Sequence, residues 1–345
     1  MKPSDHDLAR SVRSYCARLG ADPLLVQGAG GNVSWKEGDV LWVKASGTWL
    51  AEAERADVFV PVDMGALRKS VAAGDFGAVP RVLGEARLRP SIETSLHGLM
   101  PWRVVVHVHA IEVLARLVRR EAREEMERCL GPTGAEGFVP YRKPGVELAR
   151  AVAGVLAASP DCRVVCLMNH GIVVGGDDVE DVDARLRGVL ESCATPPLSP
   201  AGTAHAAAWH APPGTGYVRC ADRAIELLAI DPGWLSRVRS DWALYPDHVV
   251  FLGPAAVVRA EEELPSSVGA GEDAPPFVFV AGKGVLQRSE VTAAQVAQLR
   301  CYYEVIRRQA DGVLLATLGD AEIEELMNWD SEKYRQALSR GMSRP

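Results

Sequence analysis

The sequence lacks the features that would place it in a membrane, secreted or nucleic-acid-binding class. No apolar run approaches the roughly 18 residues of a membrane span, and the first residues have no apolar core of the kind found in secretory signals. A net charge of -7 and a pI near 5.7 give no electrostatic basis for binding nucleic acid. We therefore predict a cytoplasmic protein with neither a membrane nor a nucleic-acid partner.

The cysteines and glycines exclude several common site types. There are seven cysteines and no CxxC pair, which argues against both a disulfide framework and a zinc-thiolate site. The glycine-rich segment GAGGNVS at 28–34 is not a dinucleotide fingerprint, since the third glycine of that pattern would fall at Val33. The Walker pattern is absent as well. No nucleotide site of these two types is expected.

Histidines are few but informatively placed. His107 and His109 lie in the strand-like run VVVHVHA, where alternation puts both side chains on one face. His170 ends a second apolar run, VVCLMNH, and Gly171 after it leaves room for a turn. Three imidazoles with a fourth position open are a ligand set of catalytic zinc. The spacing alone leaves the alternative open that these are three ordinary, partly buried histidines.

Glu93 is the candidate for proton transfer. It lies in a helix predicted from Ser91 to Met100, directly before the histidine strand. A carboxylate beside a metal-bound substrate can take a proton from carbon. The alternatives are a solvated helix residue or a partner of His97 at i+4 on the same helix face.

Three segments together indicate an anion pocket. The glycine segment 28–34, the segment Lys44–Thr48 and the pair Pro90-Ser91 offer hydroxyl and backbone N–H groups of the kind that hold a phosphate. Each segment alone is also typical of a turn or a helix cap.

The composition changes once along the chain. Residues 195–216 are rich in proline, alanine and glycine and are predicted to be a linker. Before it, residues 1–194 form the predicted catalytic domain, and 217–345 form a C-terminal α/β extension of unknown role. Helical and strand-like segments in both parts indicate an α/β protein.

Five motifs, taken in order, carry a family resemblance. GAGGNVSW, VKASGT, PSIETSLH, VVHVHA and LMNHGIVVGG resemble the class II aldolase/adducin family, which includes fuculose- and rhamnulose-phosphate aldolases and ribulose-phosphate 4-epimerase. The resemblance covers residues 1 to about 195 and is nearest to the rhamnulose-phosphate aldolase-like group. It implies a three-layer αβα fold with a mainly antiparallel central sheet, in a homotetramer with sites at subunit interfaces.

The same resemblance implies roles for particular residues. His107, His109 and His170 would hold zinc, with another divalent metal as the alternative, and Glu93 and Tyr141 would be catalytic. The phosphate site would be lined by Gly31, Asn32, Ser46, Gly47 and Ser91.

The implied activity is that of a lyase. It would cleave or form a carbon–carbon bond in a phosphorylated ketose or related sugar through an enediolate. The alternatives are a sugar-phosphate 4-epimerase, a decarboxylase, a dehydratase or an iron-dependent oxygenase on the same metal site, or an adducin-like binding module without catalysis.

Overall fold

The computed structural model describes residues 5–85, 87–131, 136–200, 209–211, 213–264 and 274–342. The chain divides into two compact units, Met1–Ala194 and Thr195–Pro345. Much of the segment predicted to be a linker, 201–208 and 212, lies outside the described residues.

The first unit is built on a seven-stranded sheet in the order β3-β2-β1-β4-β7-β6-β5. Within the described residues its one parallel pair is β5 with β6, so the sheet is mainly antiparallel, as predicted. The strands are β1 (Asn32–Glu37), β2 (Val40–Lys44), β3 (Phe59–Asp63), β4 (Val104–Val108), β5 (Glu136–Val139), β6 (Val164–Leu167) and β7 (Gly171–Gly176).

Helices cover both faces of this sheet, which gives three layers. The helices are α1 (Asp5–Ala21), α2 (Met64–Ala72), α3 (Thr94–Leu99), α4 (Ile111–Leu117), α5 (Ala122–Leu130), α6 (Val146–Ala158) and α7 (Val179–Cys193). Side chains of α1, α4, α5 and α7 share one core with the sheet, and those of α3 and α6 share another. The predicted three-layer α/β fold is confirmed.

Strand β4 is buried on both faces because it lies at the centre of the sheet. Val104, Val106 and Val108 join the core formed with α1, α4 and α7. Val105 joins the opposite core with α3 and α6, and His107 alternates onto that same face. The strand therefore presents its histidine toward α3.

Two helices differ from the sequence prediction. The helix expected from Ser91 begins at Thr94, because the Ser91 carbonyl accepts hydrogen bonds from both the N–H and the hydroxyl of Thr94 and closes a turn first. The helical pattern of the sequence from Ile111 to Cys129 also predicts one helix, but the structure has two, α4 and α5, separated by a turn after Val118.

The second unit is also α/β. Its sheet has the order β8-β11-β10-β9, with strands β8 (Tyr217–Arg219), β9 (Val258–Arg259), β10 (Phe277–Val280) and β11 (Gly284–Arg288). Its helices are α8 (Arg223–Ile230), α9 (Pro232–Ser240), α10 (Pro246–Leu252), α11 (Ala293–Ile306), α12 (Asp320–Met327) and α13 (Asp330–Met342). Among the helices described in either unit, none has the length and apolar character that crossing a bilayer requires.

Candidate metal centre

The two strand histidines meet at the end of β4. His107 is fully buried and His109, one residue beyond the strand, is 5% exposed. Their Nε2 atoms lie 3.2 Å apart. The alternation of the strand therefore brings both rings to one point.

The tautomer of His107 follows from the hydrogen bond of its Nδ1 atom. Nδ1 of His107 lies 3.1 Å from the Ile172 carbonyl oxygen, which can only accept a hydrogen bond. Nδ1 therefore carries the proton, and the Nε2 lone pair faces the neighbouring rings. A carbonyl that fixes the ring in this way is typical of metal-binding histidines.

His170 comes from the tight connection between β6 and β7. Residues 168–170 form a three-residue loop between the paired Leu167 and Gly171. Asn169 takes the left-handed conformation with φ 55°, which asparagine tolerates better than most residues. The loop is anchored by hydrogen bonds from the Met168 N–H to Val139 and from the Asn169 N–H to Leu117.

Gly171 is required for space rather than for a turn. A Cβ at this position would lie 2.6 Å from the Val108 carbonyl oxygen and 3.1 Å from Cδ2 of His109. The backbone of β7 thus passes directly against the histidines of β4. Any side chain here would displace them.

The donor set fits a divalent ion. The ligand atoms of His107, His109 and His170 all lie within 4.8 Å of one another, and in the described part of the chain no other such group is present. Two nitrogens bound to one tetrahedral ion at about 2.0–2.1 Å are about 3.3 Å apart. The 3.2 Å between His107 and His109 matches this separation.

Glu93 lies beside the three rings. Its Oε2 is 3.5 Å from Nε2 of His107 and its Oε1 is 3.8 Å from Nε2 of His170. Oε1 is buried and has no hydrogen-bond partner among the residues described. Burial alone would raise the pKa of Glu93, but the His107 and His170 rings and the Asn32 amide outweigh it and lower the pKa to about 2. The group is a carboxylate.

A buried hydrogen-bond chain leads away from Glu93. The Asn32 amide donates from Nδ2 to Oε2 of Glu93 at 2.7 Å, and its Oδ1 is hydrogen-bonded to Nε2 of His97. The Nδ1 of His97 is 2.7 Å from the Ser34 hydroxyl. Glu93 and His97, four residues apart as the sequence indicated, are thus joined through Asn32.

The predicted phosphate-binding segments lie side by side. Ala45 and Pro90 form an isolated bridge, and the Ser91 N–H donates to the Lys44 carbonyl. The Ser46 N–H donates to the Arg89 carbonyl. Because both serine N–H groups are used in this pairing, the hydroxyls are what these residues offer an anion.

The glycine segment joins the same region. The Lys44 ammonium donates to the Ala29 carbonyl at 2.9 Å and is 3% exposed. Gly31 has φ 63°, and a Cβ there would lie 2.8 Å from the His107 carbonyl oxygen. Gly47 also has positive φ, at 77°. All three predicted segments therefore converge near β4.

Tyr141 follows β5, two residues beyond Val139. Since the Met168 N–H donates to the Val139 carbonyl, the Tyr141 segment runs beside the loop that carries His170. Tyr141 is half-buried, and its catalytic role remains a prediction.

Sequence reasoning did not single out Ser34. The signal was present, because Ser34 follows Asn32 by two residues in a strand and so shares its face. What the sequence could not indicate was that α3 places His97 over that face.

The chain was compared with known proteins. Residues 11–195 match the family model described as the Class II Aldolase and Adducin N-terminal domain. This match covers more than half of the chain.

Individual relatives are more distant. The uncharacterized oxidoreductase YuxG of Bacillus subtilis (strain 168) is 28% identical over 178 residues, which are 47% of this chain and 25% of YuxG. The chain thus spans about a quarter of the length of this curated relative.

Among solved structures, the N-terminal class II aldolase domain of a conserved protein from Thermoplasma acidophilum is 25% identical with a TM-score of 0.47, over 56% of this chain and 94% of that one. An L-fuculose 1-phosphate aldolase is 19% identical with a TM-score of 0.40, over 55% and 84%.

Proposed function

The chain belongs to the class II aldolase and adducin family, and from this premise we propose that its first unit is a zinc-dependent lyase that cleaves or forms a carbon–carbon bond in a phosphorylated ketose or related sugar. The observation that carries the proposal is the buried triangle of His107, His109 and His170 with the Glu93 carboxylate beside it. The proposed protein is a cytoplasmic homotetramer, and the predicted domain 1–194 supplies the catalytic residues.

His107, His109 and His170 are the residues that would hold the ion. When bound there, a divalent ion supplies Lewis acidity, which polarises a carbonyl and stabilises the negative charge that develops next to it. Imidazole donors suit zinc but also iron, copper and nickel, so the choice of zinc is part of the proposal.

Glu93 moves the proton in this proposal. It is ionised, and its Oε1 has no hydrogen-bond partner among the described residues, so it can accept a proton from substrate carbon or hydroxyl. Its second oxygen is held by Asn32 and keeps the carboxyl group in place. Burial of Glu93 to 5% exposure limits competition from water.

Binding of the substrate anion is assigned to the segments around Gly31, Ser46, Gly47 and Ser91. Their convergence near His107 supports a phosphate site within reach of the histidine cluster. Lys44, the buried cation of the segment that also contains Ser46 and Gly47, adds positive charge to this pocket. The side-chain amide of Asn32, also predicted to line the phosphate site, is instead hydrogen-bonded to Glu93 and His97. Tyr141 remains the second catalytic candidate, at the His170 loop.

The test combines metal content with product analysis. The purified full chain is assayed by plasma mass spectrometry and with L-fuculose 1-phosphate and L-rhamnulose 1-phosphate, with release of a three-carbon ketose phosphate as the readout. His107→Ala should lose the metal and the activity. Glu93→Gln should keep the metal and lose activity, and His210→Ala, at an exposed position outside the site, should change neither.

Other outcomes overturn the proposal in distinct ways. Bound iron with oxygen consumption would indicate an oxygenase, and a product that keeps all its carbons would indicate an epimerase or dehydratase. Release of carbon dioxide would indicate a decarboxylase. A protein without metal would indicate an adducin-like binding module.

A further inference from the structure

We propose that Ser34 and His97 are positioning residues, which fix the orientation of the Asn32 amide and so hold the Glu93 carboxylate against the histidine cluster. This inference rests on the proposed role of Glu93 in proton transfer. Neither Ser34 nor His97 is among the individual residues assigned to the metal or the phosphate, although Ser34 lies in the glycine segment 28–34.

The donor and acceptor of each hydrogen bond in this network follow from the contact between Asn32 and Glu93. The Asn32 amide donates from Nδ2 to Oε2 of Glu93, so its acceptor oxygen Oδ1 faces His97. Nε2 of His97 must then carry its proton. Nδ1 of a neutral ring is left as an acceptor, and the Ser34 hydroxyl, 2.7 Å away, donates to it.

Burial shields these hydrogen bonds from water. Ser34 and His97 are fully buried, and Asn32 is 6% exposed, so solvent does not compete for their hydrogen bonds. Burial lowers the pKa of His97 to about 3, with Glu93 opposing the shift, so the ring is neutral. A neutral ring with a hydroxyl donor on Nδ1 has one tautomer that satisfies all of its neighbours.

The fold explains how these four groups come together. Asn32 and Ser34 alternate onto one face of β1, and β1 pairs in register with β4, which sets Asn32 opposite His107. His97 comes from α3, whose first turn follows Glu93 directly. One strand and one short helix therefore supply all four groups.

The experiment uses pairs of variants that keep or remove one group. His97→Gln keeps an amide donor near the position of Nε2, whereas His97→Leu removes it. Ser34→Thr keeps the hydroxyl, whereas Ser34→Ala removes it. Ser95→Ala is the matched control, because this buried serine of α3 donates to the Phe76 carbonyl and takes no part in the hydrogen-bond network.

Activity provides the first readout. Loss of one hydrogen bond should lower kcat about tenfold in Ser34→Ala, and displacement of the carboxylate should lower it on the order of 100-fold in His97→Leu. KM should change by no more than about twofold, since neither Ser34 nor His97 is assigned a contact with substrate. The Thr and Gln variants should recover most of the loss. Equal kcat in His97→Leu and wild type would overturn the proposal.

The second readout does not depend on activity. Nitrogen-15 NMR of the histidine-labelled protein should show His97 as the neutral Nε2–H tautomer, and Ser34→Ala should shift the Nδ1 resonance because that nitrogen loses its hydroxyl donor. Crystal structures should show the Glu93 carboxylate displaced in His97→Leu and in place in His97→Gln. If wild type cleaves no sugar phosphate, the proposed function fails, but these measurements still test whether Ser34 and His97 position Asn32 and Glu93. An Nδ1–H tautomer in wild type, or an unmoved Glu93 in His97→Leu, contradicts the inference.

Discussion

Lys36 of β1 donates a hydrogen bond to the carbonyl oxygen of Met100, at the C-terminal end of α3. A second bond, 2.7 Å long, goes to the Trp102 carbonyl. Lys36 is two residues beyond Ser34 on the same face of β1, so one strand contacts α3 at two points. The helix that follows Glu93 is thus held through the His97 side chain and through the Met100 carbonyl at its end.

Lys36 should make the stability of the first unit depend on pH. Burial, with a contribution from the nearby Arg68 charge, lowers the pKa of Lys36 to about 7. The unfolded chain therefore binds more protons between about pH 7 and 10.5, and the free energy of unfolding should rise with pH across that range. Lys36→Met should flatten this rise in urea unfolding, and Lys69→Met, at an exposed position of α2, should leave it unchanged. A rise of equal slope in Lys36→Met would contradict the prediction.

Gly171→Ala should damage the histidine cluster. The added methyl group would lie 2.6 Å from the Val108 carbonyl oxygen, a backbone atom that cannot easily move away. We therefore expect a loss of about 1–3 kcal/mol in the free energy of unfolding and weaker metal binding. Gly154→Ala is the control, because open space surrounds that position in helix α6 and alanine should stabilise it by about 0.5–1 kcal/mol. Thermal unfolding and metal titration check both; a stable, metal-binding Gly171→Ala would show that β7 can shift.

In the second unit, Arg335→Leu should be strongly destabilising. Arg335 of α13 pairs with Asp247 of α10 at 3.0 Å, and Asp247 is 3% exposed. Removing the cation leaves a buried carboxylate, which typically costs about 3–5 kcal/mol. Chemical denaturation measures the loss. Arg239→Leu, on the exposed face of α9, serves as the comparison, and equal effects of the two variants would mean that the buried pair contributes little.

Thiol labelling should single out Cys129. It is the one partly exposed cysteine of the seven, and the others are buried. Burial raises the pKa of Cys193 and Cys301 to about 12, so these thiols are neutral and slow to react. A native protein should show one fast-reacting thiol with a disulfide reagent, and Cys129→Ser should abolish that phase. Fast reaction of several thiols in the variant would count against the burial described here.

Local patterns in the sequence were enough for part of this architecture. Alternation along a strand predicted that His107 and His109 share a face, because that property depends only on neighbouring residues. The three-layer fold was implied by the family resemblance that the ordered motifs carry. That the three histidines bind a metal stays a prediction, although the structure brings them into one cluster.

Long-range geometry could not be read in the same way. The contact of Asn32 with Glu93 joins residues 61 positions apart and depends on the register of β1 against β4, which no local pattern specifies. The late start of α3 at Thr94 depends on a turn that competes with the Ser91 cap. The need for Gly171 arises from the close approach of β7 to β4 and not from a turn.

The convergence of the three histidines would give a bound ion a role in folding. His107 and His109 belong to β4, whereas His170 sits in the loop before β7, and the rings meet only when the β4–β7 ladder has formed. An ion bound by all three therefore favours the folded chain by mass action, about 2.7 kcal/mol at a free concentration of 100 times Kd. A supply of metal would therefore raise the stability of the folded chain, and chelation would remove the link between β4 and the loop before β7.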